Sequence, residues 1–484
     1  MTAASGIDRY LVRWSQASDR PLLSRDSPGG IAQAVVIPAL AERDTIFSTL
    51  ASLSRNDPQE IRRTLILVVV NNRRTPHASD EDIRNNQDTL HCLKELLQGR
   101  LPDARFVAAA QIRSAMEEIL QGGLRLAVLD AASPGREMPV RAGGVGLARR
   151  MGMDSALRCL DRGMSGPQCL FCLDADTLVE ANYLSEAARF FHSGRWAAAT
   201  VDFAHRIDSK DPLEEEAIRR YEIYLRYYQL GLSYAGSPYA FFTIGSTMVC
   251  RDQAYAAVRG MPVRDAAEDF YFFNKLAKVG PIGRIRGTLV HPSSRRSARV
   301  PFGTGKSVGR YLEGDCRVDL LYDPQVFAIL KDWLFWMEGN LLGDEDGILA
   351  GAQEIHPVLA RFLRERNFAE TWRRIRHQTR RIDVLRRHFH SWFDGFQTLK
   401  LIHLLTAALL PRVDAVAAVE SLCRMRDTPL CAPAPESARS ADDREHLLDS
   451  LRRLEPDPTE RSLLDGRGIV GYGSRRMQYG KGKS

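Results

Sequence analysis

No apolar stretch in this chain is long enough to cross a bilayer: the longest runs, such as Leu65–Val70 and Leu401–Leu410, fall well short of the roughly 20 residues a membrane-spanning helix needs. The eight cysteines are scattered, and Cys92, Cys172 and Cys250 sit inside apolar segments, which suits buried free thiols and argues against a disulfide framework. Cys169 and Cys172 are spaced as Cys-x-x-Cys, but on an expected strand they point to opposite faces, and no second pair stands at zinc-finger spacing. The opening Met1-Thr-Ala-Ala-Ser-Gly-Ile-Asp8 lacks the basic start and apolar stretch of a secretory signal, so a cytoplasmic protein is expected. No internal repeat is present.

What remains is a globular composition. Hydrophobic residues make up 44% of the 484 and the mean hydropathy is −0.27, so a core can form without covalent staples. The length exceeds what one core usually serves, and two domains are expected. A net charge of +7 and a pI near 9.0 attract nucleotides, phospholipid head groups or nucleic acid without choosing among them.

Residues 1–30 read as a peripheral arm, with a short amphipathic helix from Ile7 to Ser15 and then a loop rich in Ser, Pro and Gly. Ile31–Pro38 is a near-continuous apolar run stopped by proline, and Leu65–Asn72 repeats the pattern and stops at two asparagines. Runs of this kind are strands buried on both faces, as in a parallel sheet. Between them Ile46, Leu50 and Leu53 recur at helical spacing within Glu42–Ser54. A helix over Asp80–Leu97, a strand over Leu124–Asp130, a Gly-rich turn into a helix over Ala142–Leu160 and a strand ending at Asp174 continue the alternation. The expectation is an α/β fold built on a doubly wound, mainly parallel sheet, with ligands beyond the carboxyl ends of the strands. Those ends are Pro38–Glu42, Asn71–Asn72, Asp130 and Asp174–Asp176.

From about Val318 to Leu454 apolar residues fall at three- and four-residue steps, among them Trp333, Met337, Trp372, Leu385, Phe389 and Phe396. They predict a C-terminal helical accessory domain. The expected divisions are 1–30, 31–315 and 316–455, with 456–484 a flexible basic tail.

The chemistry points to Leu170-Phe-Cys-Leu-Asp-Ala-Asp-Thr177, an apolar strand ending in two aspartates one residue apart. On a period-two strand Asp174 and Asp176 share a side-chain direction, a place to hold a hard cation such as Mg2+ or Mn2+ that also takes phosphate oxygens. A phosphorylated small molecule is the expected ligand. Glu268-Asp269, ahead of the aromatic run Phe270–Phe273, supplies either a base whose proton affinity an apolar setting raises or a helix N-terminal cap. Arg295, Arg296 and Arg299 could clamp a diphosphate or form a solvated face.

These segments together resemble the GT-A glycosyltransferases, close to the large inverting family 2. The resemblance rests on Val36-Ile-Pro-Ala-Leu-Ala-Glu42, Val69-Val-Asn-Asn72, Gly143-Gly-Val-Gly-Leu-Ala-Arg149, Leu173-Asp-Ala-Asp-Thr177, Ile244-Gly-Ser-Thr-Met248 and Ala267-Glu-Asp-Phe270, in that order, over roughly residues 31 to 310. It implies a metal-dependent transfer of sugar from a nucleoside diphosphate sugar to an acceptor hydroxyl. Pro38, Ala39 and Glu42 would surround base and ribose, Asn71 would read the base, Gly143, Gly144 and Gly146 would let backbone approach the nucleotide, and Arg149 would face a phosphate. Asp174 would stand on the ribose side and Asp176 on Mn2+ or Mg2+, with His291 completing the metal shell. Gly245, Ser246 and Thr247 would floor the sugar pocket, and Asp269, beside Glu268, would be the general base. The acceptor, whether lipid, polyol or saccharide, is left open.

The tyrosine-rich run Tyr221–Tyr239 fits either acceptor stacking or core. Gly303-Thr-Gly-Lys-Ser307 fails as a P-loop, because Val300 stands where the leading glycine belongs, and reads instead as a flexible loop closing over phosphates. The arginines of Trp372–Arg387 suit an anionic membrane or a solvated helix face, which leaves peripheral contact with the inner membrane face open; no RNA-binding motif accompanies them, and no nucleic acid is expected. Two other classes stand beside transfer. Nucleotidyl transfer wants a basic Gly-rich turn after the first strand where Ala39-Leu-Ala-Glu42 stands, and a non-catalytic membrane or nucleic-acid binder would depend on the arginines alone. There is no Gln-x-x-Arg-Trp motif of the processive polysaccharide synthases.

Overall fold

A computed structural model of the chain describes residues 6–16, 20–24, 29–107, 109–207, 211–295, 304–314, 320–427 and 441–454. Nine strands form one sheet: β1 (Leu23–Ser24), β2 (Gln33–Ala39), β3 (Thr64–Asn71), β4 (Arg125–Ala131), β5 (Cys169–Cys172), β6 (Leu178–Val179), β7 (Ala198–Phe203), β8 (Met248–Arg251) and β9 (Ile282–His291). Their order is β1-β4-β3-β2-β5-β8-β7-β9-β6. The run β4-β3-β2-β5 is parallel throughout, as is β7 with β9, while β8 lies antiparallel between β5 and β7.

Alternate residues of β2 enter opposite cores. Val35, Ile37 and Ala39 pack on one face with Ile46, Phe47 and Leu50, and Ala34 and Val36 on the other with Leu147, Met151 and Leu170. That two-sided burial is why the run reads as continuously apolar. Cys169 and Cys172 divide between the two faces in the same way. β2 continues through Pro38 to Ala39, beyond the expected stop. β5 pairs with β2 only as far as Val36, so at Pro38 the ladder to β5 has ended and a residue without an N–H is tolerated.

Several segments differ from the sequence expectation. The helix Gly6–Arg13 is packed down: the hydroxyls of Tyr10 and Tyr255 both donate to the buried Asp154 carboxylate, at 2.5 and 2.7 Å. Residues 174–177 close a turn through the Thr177 N–H and the Asp174 carbonyl (3.1 Å), so the two aspartates do not share a strand's side-chain direction. Thr304–Leu312 is helical where a loop was expected, and Arg299 lies outside the described residues. The expected arginine helix is broken into Phe368–Gln378 and Ile382–Trp392. The long stretch 77–141 holds a second helix, Ala110–Gln121, after Asp80–Leu97. The 456–484 tail also lies outside the described residues.

Helices from Gln325 onward enclose a core of Trp333, Trp372, Phe389 and Leu401. The helix Pro212–Tyr234 adds Ile223, Tyr227 and Leu230 to it, so most of the tyrosine-rich run is core. Glu222 on that helix is a buried junction. Its carboxylate accepts from the His205 backbone N–H (3.0 Å) and from the guanidinium groups of Arg226 (2.8 Å) and Arg452 (2.9 Å), tying the C-terminal helix Ala441–Leu454 to the loop after β7. No described helix is long and apolar enough to cross a membrane.

Candidate active site

The parallel strands β2, β3 and β5 deliver Glu42, Asn71 and Asp174 to the same end of the sheet, and the helix Glu268–Leu276 brings its acidic first turn there. The joining group is Arg149, on the helix Val145–Cys159. It ion-pairs with Asp174 at 2.5 Å and with Glu268, 119 positions away. Burial works against the guanidinium's charge, but Asp174 and Glu268 outweigh it and hold the group above its ordinary proton affinity. Asp174 also accepts from the Ser246 hydroxyl at 2.7 Å, and Ser246 from Thr177 at 3.0 Å. Gly245 is required here by contact: a Cβ at that position would stand 2.1 Å from Arg149 Nη2.

A second cation organises the neighbouring carboxylates. Arg295 donates from Nε to Asp176 at 2.9 Å and pairs with Glu42, which stands just before the helix Arg43–Ser54 at the end of β2. Arg206 holds the Asp176 backbone carbonyl at 3.0 Å. Burial pushes the Asp176 carboxyl up to about 6; Arg295 opposes that rise, and Glu42 and Asp174 add to it.

Asp269 is partly exposed, with one carboxylate oxygen on the Phe270 N–H at 2.7 Å. Burial, then the charge of Glu268, pushes it up to about 7 against the pull of Arg149. Two alanines with left-handed backbone adjoin these groups in the chain: Ala41 (φ 53°), before Glu42, and Ala267 (φ 57°), before Glu268. Each costs of order 1–3 kcal/mol that the surrounding packing must offset, and such conformations gather at functional sites.

Other expected residues are placed differently from the reading above. Arg149 is enclosed by carboxylates and does not face open space where a phosphate would lie. The side chain of Asn71 is turned inward, donating to the carbonyls of Ala39 (3.2 Å) and Val69 (3.0 Å). Pro38 and Ala39 are buried in β2. Gly144 opens the helix Val145–Cys159 against Asp265, whose carboxylate a Cβ would meet at 3.0 Å, so its lack of a side chain serves packing. Arg296 lies outside the described residues.

The expected metal centre is not assembled. His291 turns to Glu180 (2.7 Å), because β9 pairs with β6 and sets His291 opposite Leu178, two positions before that glutamate. Asp176 holds Arg295, Asp174 holds Arg149 and Ser246, and no group of three or more His, Cys, Asp or Glu among the described residues could hold one ion. Among the described residues no cage of protein ligands is formed, and a hard cation here would depend on Asp176 together with oxygens of a bound diphosphate. Sequence reading missed the Arg149–Glu268 pairing and Arg206 altogether, since nothing in Asp202-Phe-Ala-His-Arg206 marks its arginine as a neighbour of Asp176.

No family model matches the chain, and no curated protein matches it. Among solved structures it is similar to S. aureus TarS 1-349, at 12% identity and a TM-score of 0.32 over 69% of this chain and 92% of the other. The same S. aureus segment in complex with UDP-GlcNAc gives 13% and 0.33 over the same shares. A mannosyltransferase, PcManGT from Pyrobaculum calidifontis, in complex with GDP-Man and Mn2+, gives 12% and 0.33 over 93% of this chain and 94% of that one. Likeness at these scores carries no activity across, so the chemistry rests on this chain's own residues.

Proposed function

We propose that the chain is a nucleotide-sugar-dependent glycosyltransferase, with the sheet unit catalytic and the helical region accessory. The observation that carries this reading is Arg149, which gathers Asp174 and Glu268 onto one buried guanidinium and so sets the neighbouring Asp269 beside the carboxyl ends of the parallel strands. The order of motifs resembling GT-A enzymes supports it independently. In the proposed reaction the Asp269 carboxylate takes the proton of an acceptor hydroxyl, and that oxygen attacks the anomeric carbon. The bond from that carbon to the diphosphate breaks, and the nucleoside diphosphate leaves with the electron pair. Inversion follows from attack opposite the leaving group.

A base with a proton affinity near neutrality is ionised enough to accept and basic enough to pull. Glu42 and Asp174 suit ribose hydroxyls, which donate to carboxylates. Arg295, held beside Asp176 and Glu42 at the same strand ends, is the cation that meets the charge of the departing diphosphate. A thermal-shift screen of UDP-, GDP- and dTDP-sugars, with and without Mn2+, tests the reading. A true donor at 100 times its Kd stabilises by about 2.7 kcal/mol. Failure of every nucleotide to stabilise the wild type beyond an Asp176→Ala control overturns it.

A further inference from the structure

We infer that Arg452, on the helix Ala441–Leu454, is a positioning residue for the proposed donor site, acting through Glu222 and the loop after β7; the inference rests on the transferase reading. A continuous run of contacts joins the two. Arg452 turns Nε (3.1 Å) and Nη2 (2.9 Å) to one carboxylate oxygen of Glu222. The other oxygen accepts from the His205 backbone N–H (3.0 Å) and lies 2.9 Å from His205 Nδ1. One residue further on, Arg206 donates to the Asp176 carbonyl at 3.0 Å. The same loop is stitched to the segment that runs from β9 to Arg295: the Ala204 N–H donates to the Val290 carbonyl (3.0 Å) and the Arg206 N–H to that of Pro292 (2.9 Å). Residues 203–206 therefore set the backbone of Asp176 and also the approach of Arg295, its ion-pair partner.

The charges show why Glu222 draws on a distant arginine. Its side chain is 2% exposed, so its charge must be compensated within the protein. Arg226 supplies one cation but divides Nη2 between Glu222 (2.8 Å) and the Phe203 carbonyl (2.6 Å). Arg452 supplies a second, from a helix whose place is fixed by other contacts as well. Arg444 pairs with Glu216 (2.6 Å), Glu445 lies 3.6 Å from Arg219, and Leu447, Leu448 and Leu451 are buried. Among the described residues neither Glu216 nor Arg219 makes a hydrogen bond or ion pair with residues 203–206. Arg444 and Arg452 thus hold the same helix to Pro212–Tyr234, and only the contact of Arg452 continues to the site.

The test compares the full chain carrying Arg452→Met, Arg452→Lys or Arg444→Gln with the wild type. Affinity is read by calorimetry with UDP-, GDP- and dTDP-sugars, and the hold on the loop by amide hydrogen exchange at residues 203–206 without nucleotide. Arg452→Met is expected to weaken nucleotide-sugar binding about fivefold, the scale of one partly exposed ion pair, and to speed exchange of the His205 amide. Arg452→Lys keeps the charge without the planar fork and should fall between that variant and the wild type. Arg444→Gln should lower the melting temperature and leave both readouts unchanged. Wild-type affinity or unchanged His205 exchange in Arg452→Met, or an equal loss in Arg444→Gln, overturns the inference whatever the change in stability. If exchange responds as expected but no nucleotide sugar stabilises the wild type, the transferase reading fails, and with it the role at a donor site, while the hold of Arg452 on the loop stands.

Discussion

Replacing Arg149 by methionine removes the cation that stands between Asp174 and Glu268, and the structure sets the size of the loss. The side chains of Arg149 and Glu268 are each 5% exposed, so Glu268 would be left as an uncompensated buried charge, a situation that costs about 3–5 kcal/mol. Asp174 is 34% exposed and keeps Ser246, so water and that hydroxyl compensate it and its share is about 0–1 kcal/mol. Arg149 Nε has no hydrogen-bond partner and adds nothing to the loss. The total, about 3–6 kcal/mol, is a large part of the roughly 5–15 kcal/mol that holds a native protein together. Urea unfolding of Arg149→Met, Glu268→Leu and the double variant checks it. The single arginine variant should fall by that amount, and the double variant should recover most of it, because apolar groups can replace a buried pair at little cost. A loss below about 1 kcal/mol, or a double variant no better than the single, would refute the account of Arg149 as the buried joint of the site.

Two further outcomes are expected. Because Asp269 must be ionised to accept a proton and its carboxyl is pushed up to about 7, kcat/KM should rise with pH through that value and level off above it; Asp269→Asn should abolish turnover while leaving nucleotide binding, and a profile flat across neutrality refutes the assignment. For Glu222, burial raises its proton affinity but His205, Arg226 and Arg452 outweigh it and hold the carboxyl far below its ordinary value. A lowered folded-state affinity contributes stability that is complete above about pH 4.3 and is lost as pH falls below it. Glu222→Gln should therefore be less stable at neutrality by about 3–5 kcal/mol, with a melting temperature that falls less than the wild type's on acidification; parallel acid profiles would refute the junction.

Much of the frame was readable because it depends on short-range periodicity. The helix Asp80–Leu97 matches residue for residue, and the apolar runs of β2 and β3 announce burial on both faces before any partner strand is known. Glycine positions were readable too, though not their reasons: Gly245 makes room for Arg149 and Gly144 for Asp265. The two acidic motifs lie at one end of the sheet for different reasons: Asp174 follows the parallel strand β5, and Glu268 opens a helix that meets it through Arg149.

The amino-acid order by itself determined the α/β alternation, the helical region that follows it, and which residue types stand at the strand ends, because these follow from side-chain spacing along a few turns or one strand. Tertiary structure alone decided what those residues hold. A one-turn bend after β5 sends Asp174 to Arg149 and Asp176 to Arg295, and the β6–β9 pairing gives His291 to Glu180. Each of these choices is an ion pair or hydrogen bond between segments 25 to 119 positions apart, whose geometry no local pattern encodes.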